Sequence, residues 1–153
     1  MNKERTLLYF TGVLLTVIGV GGVVCGWMLM REPSGESIGL SLELIQDSPF
    51  KDYFIPGLVL FAINGLGSLL GAWLLVNKNR FAGAVTMLLG LEMIIWISAE
   101  FYWVNEESFL QPTMFAVGLL ELLLGLLVSR QQPKKQRKIR HPLNSRSPRG
   151  KNI

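Results

Sequence analysis

The sequence predicts an all-α fold, an integral membrane bundle of four transmembrane helices. Half of the 153 residues are hydrophobic and only 17% are charged, whereas soluble domains carry about 25% charged residues. Four apolar runs each approach the ~20 residues that a bilayer core requires. The basic residues also divide unequally between the loops that four spans would create. The length fits a single domain.

The four predicted spans are Leu7–Met30, Pro56–Val76, Phe81–Trp103 and Leu110–Ser129. The first competes with a secretory signal peptide, but it is longer than the ~7–15 apolar residues of a signal-peptide core, and no small-x-small cleavage site follows. We therefore expect an uncleaved first helix, a membrane domain over residues 1–129 and a disordered basic tail over residues 130–153.

The charge asymmetry predicts the orientation of the bundle. The N-terminus, the turn between the second and third spans, and the tail together hold 13 of the 15 Lys and Arg residues. The two opposite loops hold Arg31 and Lys51 among seven acidic residues. The positive-inside rule then places both termini in the cytoplasm. An odd number of spans would spoil this partition, so the charges favour four.

The first outer loop, Arg31–Ile55, is the least generic part of the chain. Apolar residues alternate with small or polar ones from Ile38 to Leu44. This pattern predicts a short amphipathic segment that lies on the outer membrane surface.

A helix start is predicted at the end of this loop. Ser48 suits an N-cap, Pro49 the first helical position, and Asp52 the positive first turn. Pro56 follows seven residues after Pro49 and lacks a backbone N–H. We expect a short surface helix that bends at Pro56 into the second span.

Residues 32–65 carry a distinctive segment. It contains SPFKDYFIPGL at residues 48–58, then Phe61 and Asn64-Gly65, and before these PSG at residues 33–35 and GLSL at residues 39–42. This segment resembles an uncharacterised family of small bacterial four-helix membrane proteins that has no assigned activity. The resemblance implies the fold and a bacterial plasma membrane, and it transfers no catalytic residue.

Glu92 and Glu121 lie near the middle of the third and fourth spans. With a rise of ~1.5 Å per residue, these acids fall at a depth similar to Asn64 and Thr16, which predicts a polar layer near the midplane. No Lys, Arg or His lies inside a predicted span. Because burial penalises the charged form of a carboxyl group, we expect both acids to be protonated and hydrogen-bonded to each other, to Asn64 or to hydroxyls.

The two acids differ in helix face. Glu121 lies between Gly118 and Gly125 at helical spacing, which places it on a close-packing seam. Glu92 begins a stripe that continues through Trp96 and Glu100 to Trp103 at the outer surface, where we expect Glu100 to be hydrated. The candidate intramembrane polar site comprises Glu92, Glu121, Asn64, Trp96 and Glu100.

Small residues predict where helices pack closely. Gly22 and Gly26 form a GxxxG pair in the first span, and Gly67 and Gly71 form another in the second. Packing within the chain is the preferred interpretation of these pairs, and homodimerisation through one such face is the alternative.

Three classes of function stay open at this point. The preferred class is a structural or accessory membrane protein in which the acids join helices by hydrogen bonds, acting through a partner membrane protein. The alternative is a small transporter, or a proton- or cation-coupled binding protein, that uses Glu92. A membrane enzyme is disfavoured because the sequence has no Cys/His pair, His-rich metal motif, Ser/His/Asp set or phosphate-binding Gly loop. We expect no catalytic residue, metal or cofactor.

The tail Gln131–Ile153 is rich in Lys, Arg, Pro and Ser, a composition typical of disorder. Its basic residues directly after the fourth span predict attraction to anionic lipids of the inner leaflet. Nucleic-acid binding is not expected because no aromatic residue is interleaved for base stacking. The lone His141 has no partner for metal ligation, and the lone Cys25 excludes an intrachain disulfide.

Overall fold

Four long helices make up most of the chain. The structure is a computed structural model that describes residues 3–103 and 110–131. Its helices are α1 (Lys3–Arg31), α2 (Phe54–Val76), α3 (Ala82–Trp103) and α4 (Leu110–Gln131). All four are long and apolar enough to cross a membrane. The prediction of an all-helical chain with four such helices is confirmed, whereas the predicted disordered tail falls outside the described residues from residue 132 onward.

The first two helices form a hairpin whose backbones touch. A Cβ atom added to Gly22 would lie 2.7 Å from the amide nitrogen of Gly65, and one added to Gly26 would lie 2.6 Å from that of Phe61. On α2, Gly57 faces the backbone of Gly26 in the same way. Small residues permit this close approach of two helix backbones. Gly22 and Gly26 therefore pack within the chain, against the stretch of α2 that contains Gly57 and Gly65.

The last two helices form a second hairpin of the same kind. A Cβ atom on Gly90 would lie 2.6 Å from both the carbonyl oxygen of Gly118 and the amide nitrogen of Leu122. Further along, Gly125 meets the backbone of Met87 at 2.6 Å. The interface between α3 and α4 is extensive, as is that between α1 and α2. The bundle therefore consists of two glycine-packed hairpins.

The two hairpins meet mainly near the tight turn between α2 and α3. Lys78 adopts a left-handed conformation there (φ 51°), and the amide of Asn79 bonds back to the carbonyl of Leu74 at 2.9 Å. The core beside this turn draws residues from all four helices, among them Leu15, Leu75, Ala82, Leu89 and Val128. These apolar contacts fix the hairpins together at the turn end of the bundle.

The opposite end of the bundle carries residues 32–53, and we call it the loop end. Its structure differs from the one predicted. No helix forms at Ser48–Pro49, and α2 begins at Phe54. The hydroxyl of Ser48 accepts from the amide of Phe50 at 3.2 Å, and a carboxylate oxygen of Asp52 accepts from Phe54 at 2.9 Å. Such bonds to the backbone two residues ahead compete with helix formation. Pro56 then lies in the first turn of α2, where its missing N–H breaks no helical bond, so the predicted bend is wrong.

The loop itself folds back onto the helix ends. It contains two 3-10 turns, Glu36–Ile38 and Leu42–Ile45. Ile45 and Tyr53 are buried with Leu29 of α1, and Ile38, Leu40, Phe50 and Leu60 pack around them. Ile38, Leu40 and Ile45 of the predicted amphipathic segment therefore contact the protein, whereas Leu42 is exposed. The position of the segment on an outer membrane surface stays a prediction.

One glycine makes this loop conformation possible. Gly35 has φ 82°, and a Cβ atom there would lie 2.9 Å from the ring of Tyr53 and from the Cβ of Leu40. Both the left-handed backbone and the lack of space exclude a larger residue.

Candidate functional site

Asn64 lies in an unusual stretch of α2. Residues Leu60–Gly67 form a π-helix within that helix, and such stretches are rare and frequently mark functional sites. Asn64 is buried at 6% exposure. Its side-chain amide donates to Oε1 of Glu92 on α3 at 3.5 Å, longer than the ~2.9 Å of a typical N–H···O bond. This bond joins the two hairpins.

Glu121 is fully enclosed between α3 and α4. Its side chain has 0% exposure, and its Cβ lies 3.0 Å from the position that a Cβ on Gly90 would take. Neither of its oxygens has a hydrogen-bond partner among the described residues. Glu121 therefore occupies the predicted close-packing seam, but it lacks the predicted hydrogen bonds.

Ser68 is a further member of the buried group. It follows Asn64 by one turn, is 1% exposed, and its hydroxyl oxygen has no hydrogen-bond partner in the described part of the chain. Ser68 was not among the predicted site residues, although its four-residue spacing from Asn64 was a usable signal. We refer to Asn64, Ser68, Glu92 and Glu121 together as the interior polar cluster.

The interior polar cluster is under-satisfied. Four buried oxygens lack a hydrogen-bond partner within the described residues: Ser68 Oγ, Glu92 Oε2 and both carboxyl oxygens of Glu121. Most buried polar atoms in native proteins have at least one partner. No Lys, Arg or His lies within the predicted spans to neutralise its two acids.

Thr16 does not belong to the predicted polar layer. It is exposed, and its hydroxyl donates to the carbonyl of Gly12 in its own helix at 2.7 Å. The neighbouring Leu15 takes the interior position and is fully buried. The prediction used only the depth of Thr16 along the axis of α1, whereas the helix face on which a residue lies determines whether it is buried.

The predicted stripe beyond Glu92 is covered by the first loop. The indole N–H of Trp96 donates to Glu100 at 2.6 Å. The ring of Phe50 lies 6.1 Å from that of Trp96 and 6.3 Å, edge-on, from that of Trp103. Glu100 is consequently partly buried rather than freely hydrated, and Phe50 closes the stripe at the loop end.

Tyr53 completes this covered region. Its hydroxyl donates to the carbonyl of Ser41 at 2.8 Å, which ties the start of α2 to the loop. Burial, with a smaller contribution from the charge of Glu100, raises the pKa of Tyr53 above its usual value.

These features define a class: four apolar helices in two glycine-packed hairpins that enclose two carboxyl groups. Among residues 3–103 and 110–131, no group of three or more His, Cys, Asp or Glu side chains is placed to hold a metal ion. No family model, no curated protein and no solved structure matches the chain. The resemblance of residues 32–65 to a bacterial membrane-protein family stays a prediction.

Proposed function

We propose that this chain is a small multi-pass membrane protein with a structural or accessory role, whose interior acids are neutral and stabilise the packing of its helices. The observation that supports this proposal is the complete burial of Glu121 where Gly90 meets the backbone of α4. A site that turns over a substrate must be reached by it, and Glu121 presents no accessible surface. The Asn64–Glu92 bond adds one interhelical link of the expected type.

The proposed setting is a bacterial plasma membrane with both termini in the cytoplasm. The distribution of 13 of the 15 basic residues on one side of a four-span topology supports this orientation. The basic tail would then face anionic lipids of the inner leaflet, each basic residue contributing about 1 kcal/mol near the surface. In this accessory role the chain would bind a partner membrane protein or a second copy of itself.

Isolation of the full chain from its native membrane tests the accessory role. We expect a membrane protein to copurify at fixed stoichiometry, and to be retained by the Glu92→Gln and Glu121→Gln variants, because Gln keeps the size and the hydrogen-bonding capacity of Glu. A chain that purifies alone and carries out flux by itself in proteoliposomes would contradict the proposal.

The second candidate function is ion-coupled transport through Glu92. A specific observation favours it: Glu92 is only partly buried, its Oε2 lacks a partner among the described residues, and it starts the stripe that Phe50 covers. In proteoliposomes, Glu92→Gln should abolish proton-coupled flux while Glu43→Gln, at an exposed loop acid, leaves it intact. Flux that is equal in both variants would exclude this function.

A further inference from the structure

We propose that the place of the Phe50 ring, between Trp96 and Trp103, is a binding site for one free organic ammonium ion, represented by choline, and that Phe50 is the occupant which the ion displaces. The inference goes beyond both candidate functions, since binding requires neither a partner protein nor flux. Three features of the described residues carry it: the spacing of two indole rings, a carboxyl group between them, and the irregular backbone that holds Phe50.

The first feature is a pair of tryptophans on one face of α3. Trp96 and Trp103 lie seven residues apart in a regular α-helix, so they project from the same face. The centroid of the Phe50 ring is 6.1 Å from that of Trp96, with the planes inclined by 31°, and 6.3 Å from that of Trp103, with the planes at 89°. A cation in the place of Phe50 would therefore lie near the ~6 Å limit of cation–π attraction to two indoles. The methyl groups of a quaternary ammonium ion, which share its charge, would lie closer.

The second feature is Glu100, which lies between the two tryptophans on the same helix face. It follows Trp96 by four residues and precedes Trp103 by three, and side chains at these spacings are neighbours. Its carboxyl group accepts the indole N–H of Trp96 at 2.6 Å. Within residues 3–103 and 110–131, no Lys, Arg or His forms an ion pair with it. A half-buried acid beside aromatic rings and without a basic partner favours a cationic ligand over a neutral or anionic one.

The charge of the loop end also favours a cation. Between residues 31 and 55 the chain carries five acidic and two basic residues, and an excess of one sign raises the local concentration of the opposite ion. A metal ion suits this place less well, because the described residues contain no group of three or more His, Cys, Asp or Glu side chains that could hold one. Aromatic rings with a single acid are the surroundings in which proteins bind organic ammonium ions.

The third feature is the segment that carries Phe50. It lies between the 3-10 turn Leu42–Ile45 and the start of α2 at Phe54, in backbone that is neither helix nor strand. The amide of Phe50 donates to the hydroxyl of Ser48 at 3.2 Å, and its ring is only partly buried. The ring can therefore leave the two indoles without breaking a helical hydrogen bond. An arriving ammonium ion would replace its aromatic contacts by cation–π contacts and by attraction to Glu100.

Equilibrium dialysis of the purified full chain against radiolabelled choline tests the site. The chain is held in a maltoside detergent, which carries no ammonium group, at constant ionic strength. We expect Phe50→Ala to bind about one choline per chain, and to bind it more tightly than the wild-type chain does, because the competing ring is gone. The neutral isostere 3,3-dimethylbutan-1-ol, which has the shape of choline without its charge, should not displace choline at equal concentration.

Variants in the Phe50→Ala background separate the contribution of the acid from that of the rings. Glu100→Gln keeps the size and can still accept from Trp96, but it loses the charge. Its affinity for choline should fall on the order of 10-fold, which corresponds to about 1.4 kcal/mol. Trp103→Leu removes one ring and should weaken binding roughly 5-fold. Glu43→Gln, at an exposed loop acid, is the matched control and should bind choline unchanged.

Choline binding by Phe50→Ala that is no tighter than that of the wild-type chain overturns the inference, as does equal competition by the neutral isostere or unchanged affinity in Glu100→Gln. If Phe50→Ala does not fold, Phe50→Leu takes its place, because it removes the ring but keeps an apolar side chain. Phosphatidylcholine carries the same ammonium group. Copurification of this lipid with the chain, without binding of free choline, would overturn the inference in favour of a lipid headgroup.

Discussion

Asn64 of α2 donates a hydrogen bond to Glu92 of α3, and this bond links the two hairpins at the level of the interior polar cluster. The hairpins are otherwise held together by apolar packing near the tight turn. The Asn64–Glu92 bond therefore fixes the position of Glu92 relative to α2. Its strength is measurable.

Asn64→Ala should destabilise the bundle by roughly 0.6 kcal/mol, the average for interhelical side-chain hydrogen bonds in a membrane protein, and by no more than about 1.7 kcal/mol through this bond. A double-mutant cycle with Glu92→Ala, read from unfolding in mixed micelles, isolates the pair from the loss of packing. Strictly additive single effects would mean that the two side chains do not interact.

Gly90→Ala should destabilise by about 1–3 kcal/mol, the usual range for overpacking. The new Cβ would lie 2.6 Å from backbone atoms of Gly118 and Leu122, which cannot move without separating α3 from α4. Gly12→Ala and Gly21→Ala are matched controls because nothing lies within 4 Å of either added Cβ. The same unfolding assay applies, and a Gly90→Ala protein as stable as these controls would contradict the backbone contact between α3 and α4.

Phe50→Ala should uncover the tryptophan stripe. The ring of Phe50 packs on Trp96 and Trp103, and each aromatic pair contributes about 0.5–1.5 kcal/mol beyond its buried area. We expect greater quenching of tryptophan fluorescence by acrylamide and faster proteolysis of the first loop. Phe54→Ala is the control, because that ring is 46% exposed; equal responses from the two variants would show that Phe50 does not close the stripe.

Tyr53→Phe should cost about 1 kcal/mol at neutral pH through loss of the bond to Ser41. Because the pKa of Tyr53 is raised in the folded protein, the folded state holds the phenolic proton more tightly than the unfolded chain does. The contribution of Tyr53 to the free energy of unfolding is complete below its ordinary pKa of 10.0. It falls as the pH rises through the pKa of Tyr53 in the folded protein. The stability difference between wild type and Tyr53→Phe should therefore shrink above pH 10.0, and a difference that is constant or grows would contradict the burial of Tyr53.

The number of helices could be predicted from the sequence because apolar length and charge distribution act over whole spans. The seam around Glu121 was also predictable, since Gly118 and Gly125 lie at α-helical spacing in a regular helix. A 3.6-residue period therefore predicts the packed face correctly where the helix is regularly α-helical.

The predictions failed where local geometry departs from that regularity. The π-helix around Asn64 changes the number of residues per turn. Gly57 and Gly65 meet backbone atoms of α1, whereas Gly67 and Gly71 of the GxxxG pair meet the side chains of Leu89 and Leu15. At Ser48, the side chain bonds to the loop backbone instead of capping a helix. The packing of Phe50 on Trp96 does not follow from a one-dimensional pattern, because it depends on a contact between distant parts of the chain.

Infrared spectroscopy of the reconstituted full chain tests whether Glu121 is a neutral acid sealed between α3 and α4. The structural proposal predicts a carboxylic-acid carbonyl band at neutral pH that is lost in Glu121→Gln and that shifts slowly after transfer to D₂O. A Glu121 signal found entirely in the carboxylate region, or a carbonyl band that shifts as fast as that of a hydrated acid, would contradict it.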